Sequence, residues 1–156
     1  MTAESSTPKA AAVAAPSPYR SKTLATWVAL IGGSLGLHRF YLHGLRDPWG
    51  WLFPLPTVIG VLGVLRVRDF GQDDQASWIM MPLLGLTLSI SMLSAVYYGL
   101  QADEKWHARF NPSLESPPSS GWGAVLGVIA GLMLGAAILM ATISFSAQRY
   151  FEFTMG

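Results

Sequence analysis

The stretch that decides the fold of this chain covers residues 32–44 and reads Gly32-Gly33-Ser34-Leu35-Gly36-Leu37-His38-Arg39-Phe40-Tyr41-Leu42-His43-Gly44. Three closely spaced glycines end an apolar segment, and an arginine flanked by histidines follows at once. Charge at the end of an apolar segment is costly unless it reaches lipid headgroups, water or a partner. The stretch therefore predicts the boundary of a membrane span.

The composition of the whole chain supports a membrane protein. Charged residues make up 12% of the 156 residues, against about 25% in soluble domains. The apolar residues are gathered into four blocks, and a soluble fold of this length cannot bury them all. These blocks are Leu24–Leu37, Trp49–Val67, Trp78–Leu100 and Trp122–Ala147. We predict an all-α polytopic membrane protein with four transmembrane helices.

The blocks and the polar segments between them divide the chain. We predict a disordered Ala-, Ser- and Pro-rich tail (1–19), a helical hairpin (20–68), a loop (69–77), a third transmembrane helix (78–100), a loop (101–121), a fourth transmembrane helix (122–148) and a C-terminal tail (149–156). The first block has about 14 residues, fewer than the roughly 20 that a span needs. We therefore expect this span to recruit residues as far as Leu45, and we expect Pro54 and Pro56 to disturb the second span.

Four spans place both termini on the same side of the membrane. On that side the sequence has six cations, Lys9, Arg20, Lys22, Arg66, Arg68 and Arg149, and on the other it has four, Arg39, Arg46, Lys105 and Arg109. The positive-inside rule then predicts both termini in the cytoplasm. The small size and short loops favour a bacterial inner membrane.

The first half of the chain resembles a known family. The residues Lys22-Thr23-Leu24-Ala25, the run from Gly32 to Leu42, then Gly44 and a second apolar block are similar to the TM-two domain, also called the NINE family. The resemblance covers roughly residues 20–68. It implies a membrane hairpin of two helices with a Gly-x-x-Gly-x-His/Asp-Arg-Phe-Tyr signature. It implies no defined biochemical role, because that of the family is poorly defined.

The polar cluster after the glycines is the candidate functional site. Its members are His38, Arg39, Phe40, Tyr41 and His43. Arginine and aromatic side chains suit an interfacial anchor that sets helix depth. An arginine beside histidines also suits contact with an anionic lipid headgroup or a partner. A proton or ion pathway is the third interpretation, and the residues alone leave the three open.

Small residues mark two candidate packing surfaces. Gly32, Gly33 and Gly36 fall close together, and Gly123, Gly127, Gly131 and Gly135 recur every four residues along the last apolar block. Such spacing lets two helix backbones approach closely, either within one molecule or between copies in a homo-oligomer. Thr87, Ser91 and Ser94 form a hydroxyl face that bonds either a neighbouring helix or its own backbone.

Other function classes lack support in the sequence. The chain contains no cysteine, has a net charge of +1 and has no large basic patch, which argues against thiol chemistry and nucleic-acid binding. No catalytic motif is recognisable, the aspartates at 69, 73 and 74 suit a solvated loop, and we expect no metal or cofactor. We therefore expect a non-catalytic interaction or membrane-organising module whose partners are membrane lipids, anionic ones included, a second copy or another membrane protein. The alternative is a small channel or transporter subunit, in which the disturbed second span and the hydroxyl face line a water path.

Overall fold

The computed structural model describes residues 18–116 and 118–155. The expected disordered tail thus lies, apart from residues 18 and 19, outside the described residues. The described part is helical and contains no strand, which confirms the all-α class. Its helices are α1 (Lys22–Gly32), α2 (Leu37–His43), α3 (Pro48–Leu52), α4 (Pro54–Phe70), α5 (Gln75–Leu100), α6 (Asp103–Phe110) and α7 (Trp122–Met155).

Three helical segments are long and apolar enough to cross a membrane. They are Pro48–Phe70, which joins α3 and α4, then α5 and α7, with mean hydropathies of 1.6, 1.9 and 2.5. This result fits a membrane protein. The expected four spans are not confirmed, because the first apolar block is divided into α1 of 11 residues and α2 of 7 residues.

α1 and α2 form a short hairpin that folds back on itself. A 3₁₀ turn at Gly33–Leu35 follows α1, and Gly36 adopts φ 75°, a left-handed conformation that reverses the chain. The Ser21 backbone N–H, just before α1, donates to the Tyr41 hydroxyl at 2.9 Å, so α2 returns to the level where α1 begins. The glycines therefore break the predicted span instead of ending it.

The hairpin runs beside only the last third or so of α5, which has 26 residues. A Cβ atom built on Gly33 would lie 2.7 Å from Cβ of Ser91, and Ser91 precedes the end of α5 by nine residues, or roughly 14 Å of helix. At the open end of the hairpin, the Lys22 ammonium at the start of α1 donates to the carbonyl of Gln101, just after α5, at 2.8 Å. With 11 residues, α1 has about half the roughly 20 residues that a span needs, so the hairpin is a half-length element beside long helices.

Asp47 and the prolines that follow α2 organise the second apolar block. The Asp47 carboxylate accepts the Trp49 backbone N–H at 3.2 Å and caps α3, in which Pro48 occupies the first turn. A single residue, Phe53, separates α3 from α4, and Pro54 begins α4. The break agrees with the predicted irregularity. The Thr57 hydroxyl, one turn into α4, donates to the Ser34 carbonyl at 2.6 Å and holds α4 against the turn of the hairpin.

The long helices approach one another at glycines. On α4, Gly60 and Gly63 face backbone and side-chain atoms of α5 around Leu84 and Met80. α7 packs antiparallel to α5 and also contacts α1. Its four spaced glycines meet, in order, Thr23, Thr26, Val96 and Met92 on those two helices. The glycine row therefore packs on larger side chains of the same molecule and is not a glycine zipper in which two glycine rows meet.

Several boundaries differ from those predicted. Residues 20–68 contain four helices instead of two, and the predicted loop at 101–121 contains α6. α5 begins at Gln75, inside the predicted loop 69–77, because Asp74 caps it by accepting the Ser77 N–H at 3.0 Å. α7 continues to Met155 through the segment predicted as a tail.

The bundle has two chemically distinct ends. At the first, which we call the α6 end, the Arg20 carbonyl accepts the Trp106 indole N–H at 2.8 Å. At the other, the loop end, the Arg149 guanidinium donates to Gln72 between α4 and α5 at 3.3 Å. The chain at residue 20 and the chain at residue 149 therefore lie at opposite ends, whereas four crossings would have placed them together.

Candidate functional site

The predicted cluster lies on α2, and its members face different surroundings. His38 is 1% exposed and lies between Phe53 and Tyr98, whose ring centroids are 5.3 and 5.9 Å from its own. The buried imidazole therefore faces other side chains of the protein and is not presented to an anion from outside, contrary to the expectation that it would help Arg39 to bind one.

The aromatic members of the cluster hold α2 in place. The Phe40 ring lies 5.1 Å from that of Trp51 in α3. Tyr41 bonds to Ser21, as described above, and packs against a buried group formed by Ala25, Leu42, Trp106 and Phe110. These contacts fix α2 against α1, α3 and α6, and they give Phe40 and Tyr41 a structural role in the hairpin.

Arg39 is the charged member of the cluster, and its guanidinium is paired with one carboxylate and partly exposed. Its Nε donates to Oδ2 of Asp47 at 2.6 Å, and the Arg39 side chain stays 28% exposed. The hydrogen bond from Arg39 lowers the pKa of Asp47. His43 lies 3.9 Å from the same carboxylate oxygen and is partly exposed, and burial together with Arg39 lowers the pKa of His43. A guanidinium has five N–H donors, so the terminal nitrogens of Arg39 remain for another acceptor.

Arg39 lines a cleft between α2, the end of α5 and α6. The cleft has a volume of about 250 Å³, and its walls are formed by Arg39, Leu42, His43, Tyr97, Tyr98, Gln101, Arg109 and Phe110. A second cavity of about 520 Å³ shares Tyr97, Gln101 and Arg109 with it and adds Leu100, Ala102 and Lys105. We call the two together the cationic cleft, since Arg39, Arg109 and Lys105 all line it.

α6, which carries two of these cations, is anchored by a network at its ends. Lys22 is 7% exposed, and its ammonium lies 2.5 Å from the Asp103 carboxylate and donates to the Gln101 carbonyl at 2.8 Å. Burial raises the pKa of Asp103, but the hydrogen bonds from Lys22 and Ser120 outweigh burial and lower it to about 2. Asn111, after the end of α6, bonds both the amide and the carbonyl of Arg20. The position of Arg109 is thereby tied to the start of α1.

Sequence reasoning missed Arg109 and Lys105, although a local signal was present. Trp106 and Phe110 are four residues apart and buried, whereas Lys105 and Arg109 are exposed. Acidic residues occupy the first turn of α6, and basic residues occupy the last, as the helix dipole favours. This pattern indicates a short amphipathic helix. Its approach to Arg39 depends on contacts between distant parts of the chain, which no local pattern reveals.

The hydroxyl face on α5 is used internally. Thr87, Ser91 and Ser94 each donate to the backbone carbonyl four residues earlier, at 2.6, 2.8 and 2.8 Å. In the described part of the chain, no group of three or more histidine and acidic side chains is placed to hold a metal ion. Asp74, from the aspartate cluster at the loop end, instead forms a bidentate pair with Arg66 at 2.9 and 2.8 Å.

Comparisons with known proteins identify no relative of this chain. The chain matches no protein-family model, and no curated protein or solved structure is significantly similar to it. The functional argument therefore rests on the geometry of the chain.

Proposed function

We propose that this chain is a non-catalytic integral membrane protein, an interaction or membrane-organising module built from three spans and a re-entrant hairpin. The observation that carries the proposal is the hairpin of α1 and α2. Its turn lies beside Ser91, in the interior of α5, and its open end returns to the α6 end through the bond between Tyr41 and Ser21. Non-helical backbone at membrane depth is tolerated where protein covers it, and Gly33 and Gly36 are buried here.

The re-entrant hairpin changes the proposed orientation. With α2 returning to the α6 end, that end carries six of the described cations, Arg20, Lys22, Arg39, Arg46, Lys105 and Arg109, and the loop end carries three, Arg66, Arg68 and Arg149. The positive-inside rule then favours the α6 end in the cytoplasm and the end of α7 outside. We propose this orientation, in a bacterial inner membrane, in place of two cytoplasmic termini.

Membership of the TM-two family stays part of this proposal. The signature residues Gly33 and Gly36 occupy the turn of the hairpin, and Arg39 and Tyr41 make the contacts that close it. The family hairpin would then include a half-length first arm. α5, α6 and α7 would be additions that complete the packing around it.

The absence of cysteine from the sequence allows a direct topology test. Single cysteines at the exposed positions Tyr19, Arg46, Glu104, Asp73 and Thr154 are labelled with a membrane-impermeant maleimide in vesicles of known orientation, with the cysteine-free protein as control. We expect the first three to be labelled from one side and the last two from the other. Four spans predict that Tyr19 and Arg46 are labelled from opposite sides, and that result would overturn the re-entrant hairpin.

A flux assay tests the module against the channel or transporter alternative. The hydroxyls of Thr87, Ser91 and Ser94 donate within α5, and Gly60 and Gly63 bring α4 close to α5, which supports the module over a water path between these helices. Reconstituted into liposomes, the protein should release neither protons nor potassium faster than empty liposomes do. Flux that depends on the protein would contradict the module.

A further inference from the structure

We propose that the cationic cleft binds the phosphate of an anionic phospholipid, with Arg39 and Arg109 as its two ligands from separate helices. The inference rests on the proposed function, because it needs the α6 end to lie at a membrane surface. The two arginines are far apart in the sequence. They line the same cleft because α2 returns along α1 and α6 folds over the end of α5.

The charge balance of the cleft favours an anion. Arg109 and Lys105 form no salt bridge with any described residue, and Asp47 is the carboxylate that pairs with Arg39. Arg39, Arg109, Lys105 and Asp47 together carry a net charge of +2. Two unneutralised cations that line one concave surface attract a phosphate, which guanidinium groups bind with strong charge-assisted hydrogen bonds.

Asp47 orients Arg39 without consuming its binding capacity. The Asp47 side chain is 8% exposed, and its other oxygen is fixed by the Trp49 amide at the start of α3. The Asp47 carboxylate accepts a hydrogen bond from Nε of Arg39 alone. It therefore fixes the direction of the guanidinium and leaves the two terminal nitrogens available to a ligand. A side chain already held in one rotamer loses less entropy on binding. The ion pair therefore prepares Arg39 for a ligand.

The surroundings of the cleft favour a lipid as the source of the phosphate. Tyr97 and Leu100 line it at the end of the spanning helix α5, and they are 55% and 69% exposed. An exposed tyrosine and leucine in a cleft that cations also line match the division of a phospholipid into acyl chains and headgroup. Basic pockets between membrane helices on the cytoplasmic side bind anionic lipid headgroups in this way.

The test measures the binding of phosphatidylglycerol to the purified full-length protein. Native mass spectrometry reports the bound lipid at each step of a titration. Arg109→Gln removes an exposed cation without breaking an ion pair, and Arg46→Gln, which removes an exposed cation at the same end outside the cleft, is the matched control. We expect Arg109→Gln to weaken phosphatidylglycerol binding about tenfold, as for one lost hydrogen bond to a charged group. Arg46→Gln should bind as the unsubstituted protein does.

Three outcomes would overturn the inference. The first is unchanged binding in Arg109→Gln. The second is an equal loss of binding in Arg46→Gln, which would reduce the effect to general surface charge. The third is competition by inorganic phosphate with phosphatidylglycerol at equal concentration, which would assign the cleft to a soluble anion. If binding fails while the cysteine labelling still shows the re-entrant hairpin, the cleft assignment falls and the proposed module stands.

Discussion

Replacing Gly36 tests the turn on which the whole arrangement depends. Gly36 has φ 75° and ψ 8°, and its N–H donates to the Gly33 carbonyl at 2.9 Å. A Cβ atom at this position would collide with the carbonyl oxygen of Gly50 in α3 and lie 3.0 Å from the carbonyl carbon. The position therefore excludes a side chain twice, through its backbone conformation and through the close approach of α3.

The two effects have separable magnitudes. The left-handed conformation costs an alanine about 1–2 kcal/mol, and forcing extra volume into a packed contact costs a further 1–3 kcal/mol or so. Gly36→Ala should thus lower the free energy of unfolding by about 2–5 kcal/mol. Asparagine tolerates the left-handed region but carries the same Cβ atom. Gly36→Asn should therefore recover the backbone cost and keep the steric cost of about 1–3 kcal/mol.

The assay is the folded fraction of the purified protein during titration with sodium dodecyl sulfate, followed by tryptophan fluorescence. Gly44→Ala is the matched control, because Gly44 has φ 84° and no atom within 4 Å of its would-be Cβ. It reports a backbone cost alone, of about 1–3 kcal/mol. If Gly36→Asn unfolds within a few tenths of a kcal/mol of the unsubstituted protein, α3 does not press on the turn and the reasoning is refuted.

The same titration should give different results for two helical glycines. Gly60→Ala should destabilise the protein by about 2 kcal/mol, because overpacking against backbone atoms of α5 exceeds the gain of about 1 kcal/mol in helix propensity. Gly123→Ala should be neutral or slightly stabilising, because its new methyl group would meet only a threonine methyl group at 2.9 Å. The reverse order would contradict the packing of α4 on α5. The pKa of Asp103 falls from 3.8 to about 2 on folding, so its contribution to stability is complete above about pH 4 and disappears as the pH falls toward 2. Thermal melts of Asp103→Asn and the unsubstituted protein should converge over that interval, and a constant difference between them would exclude the carboxylate as the cause.

The sequence predicted the long helices better than the first one. The second, third and fourth apolar blocks are continuous, and each corresponds to a helical segment long enough to span a membrane. The first block was too short, and extending it to Leu45 treated Gly32, Gly33 and Gly36 as parts of a helix. Those glycines break it because of contacts made far along the chain, with Ser91 in α5 and Gly50 in α3. Local pattern holds no information about such contacts.

The candidate site shows the same division between local and long-range information. Arg39 was identifiable as an isolated cation beside an apolar segment, and it does line the cleft. His38 belongs to the same short motif, yet it is buried, because Phe53 and Tyr98 pack against it. Arg109 comes from a segment predicted as a loop. The return of α2 along α1 and the docking of α6 decide which of these side chains share one surface.

The half-length hairpin gives the molecule unequal cross-sections. At the α6 end, α1 and α2 stand beside the long helices, whereas at the loop end the described residues supply α4, α5 and α7 alone, because the hairpin turns back at the level of Ser91. In the membrane arrangement that we propose, the protein displaces more lipid from the leaflet at the α6 end than from the opposite one. Many such molecules in one membrane would relieve the imbalance of leaflet area by curving it, with the α6 leaflet on the convex face.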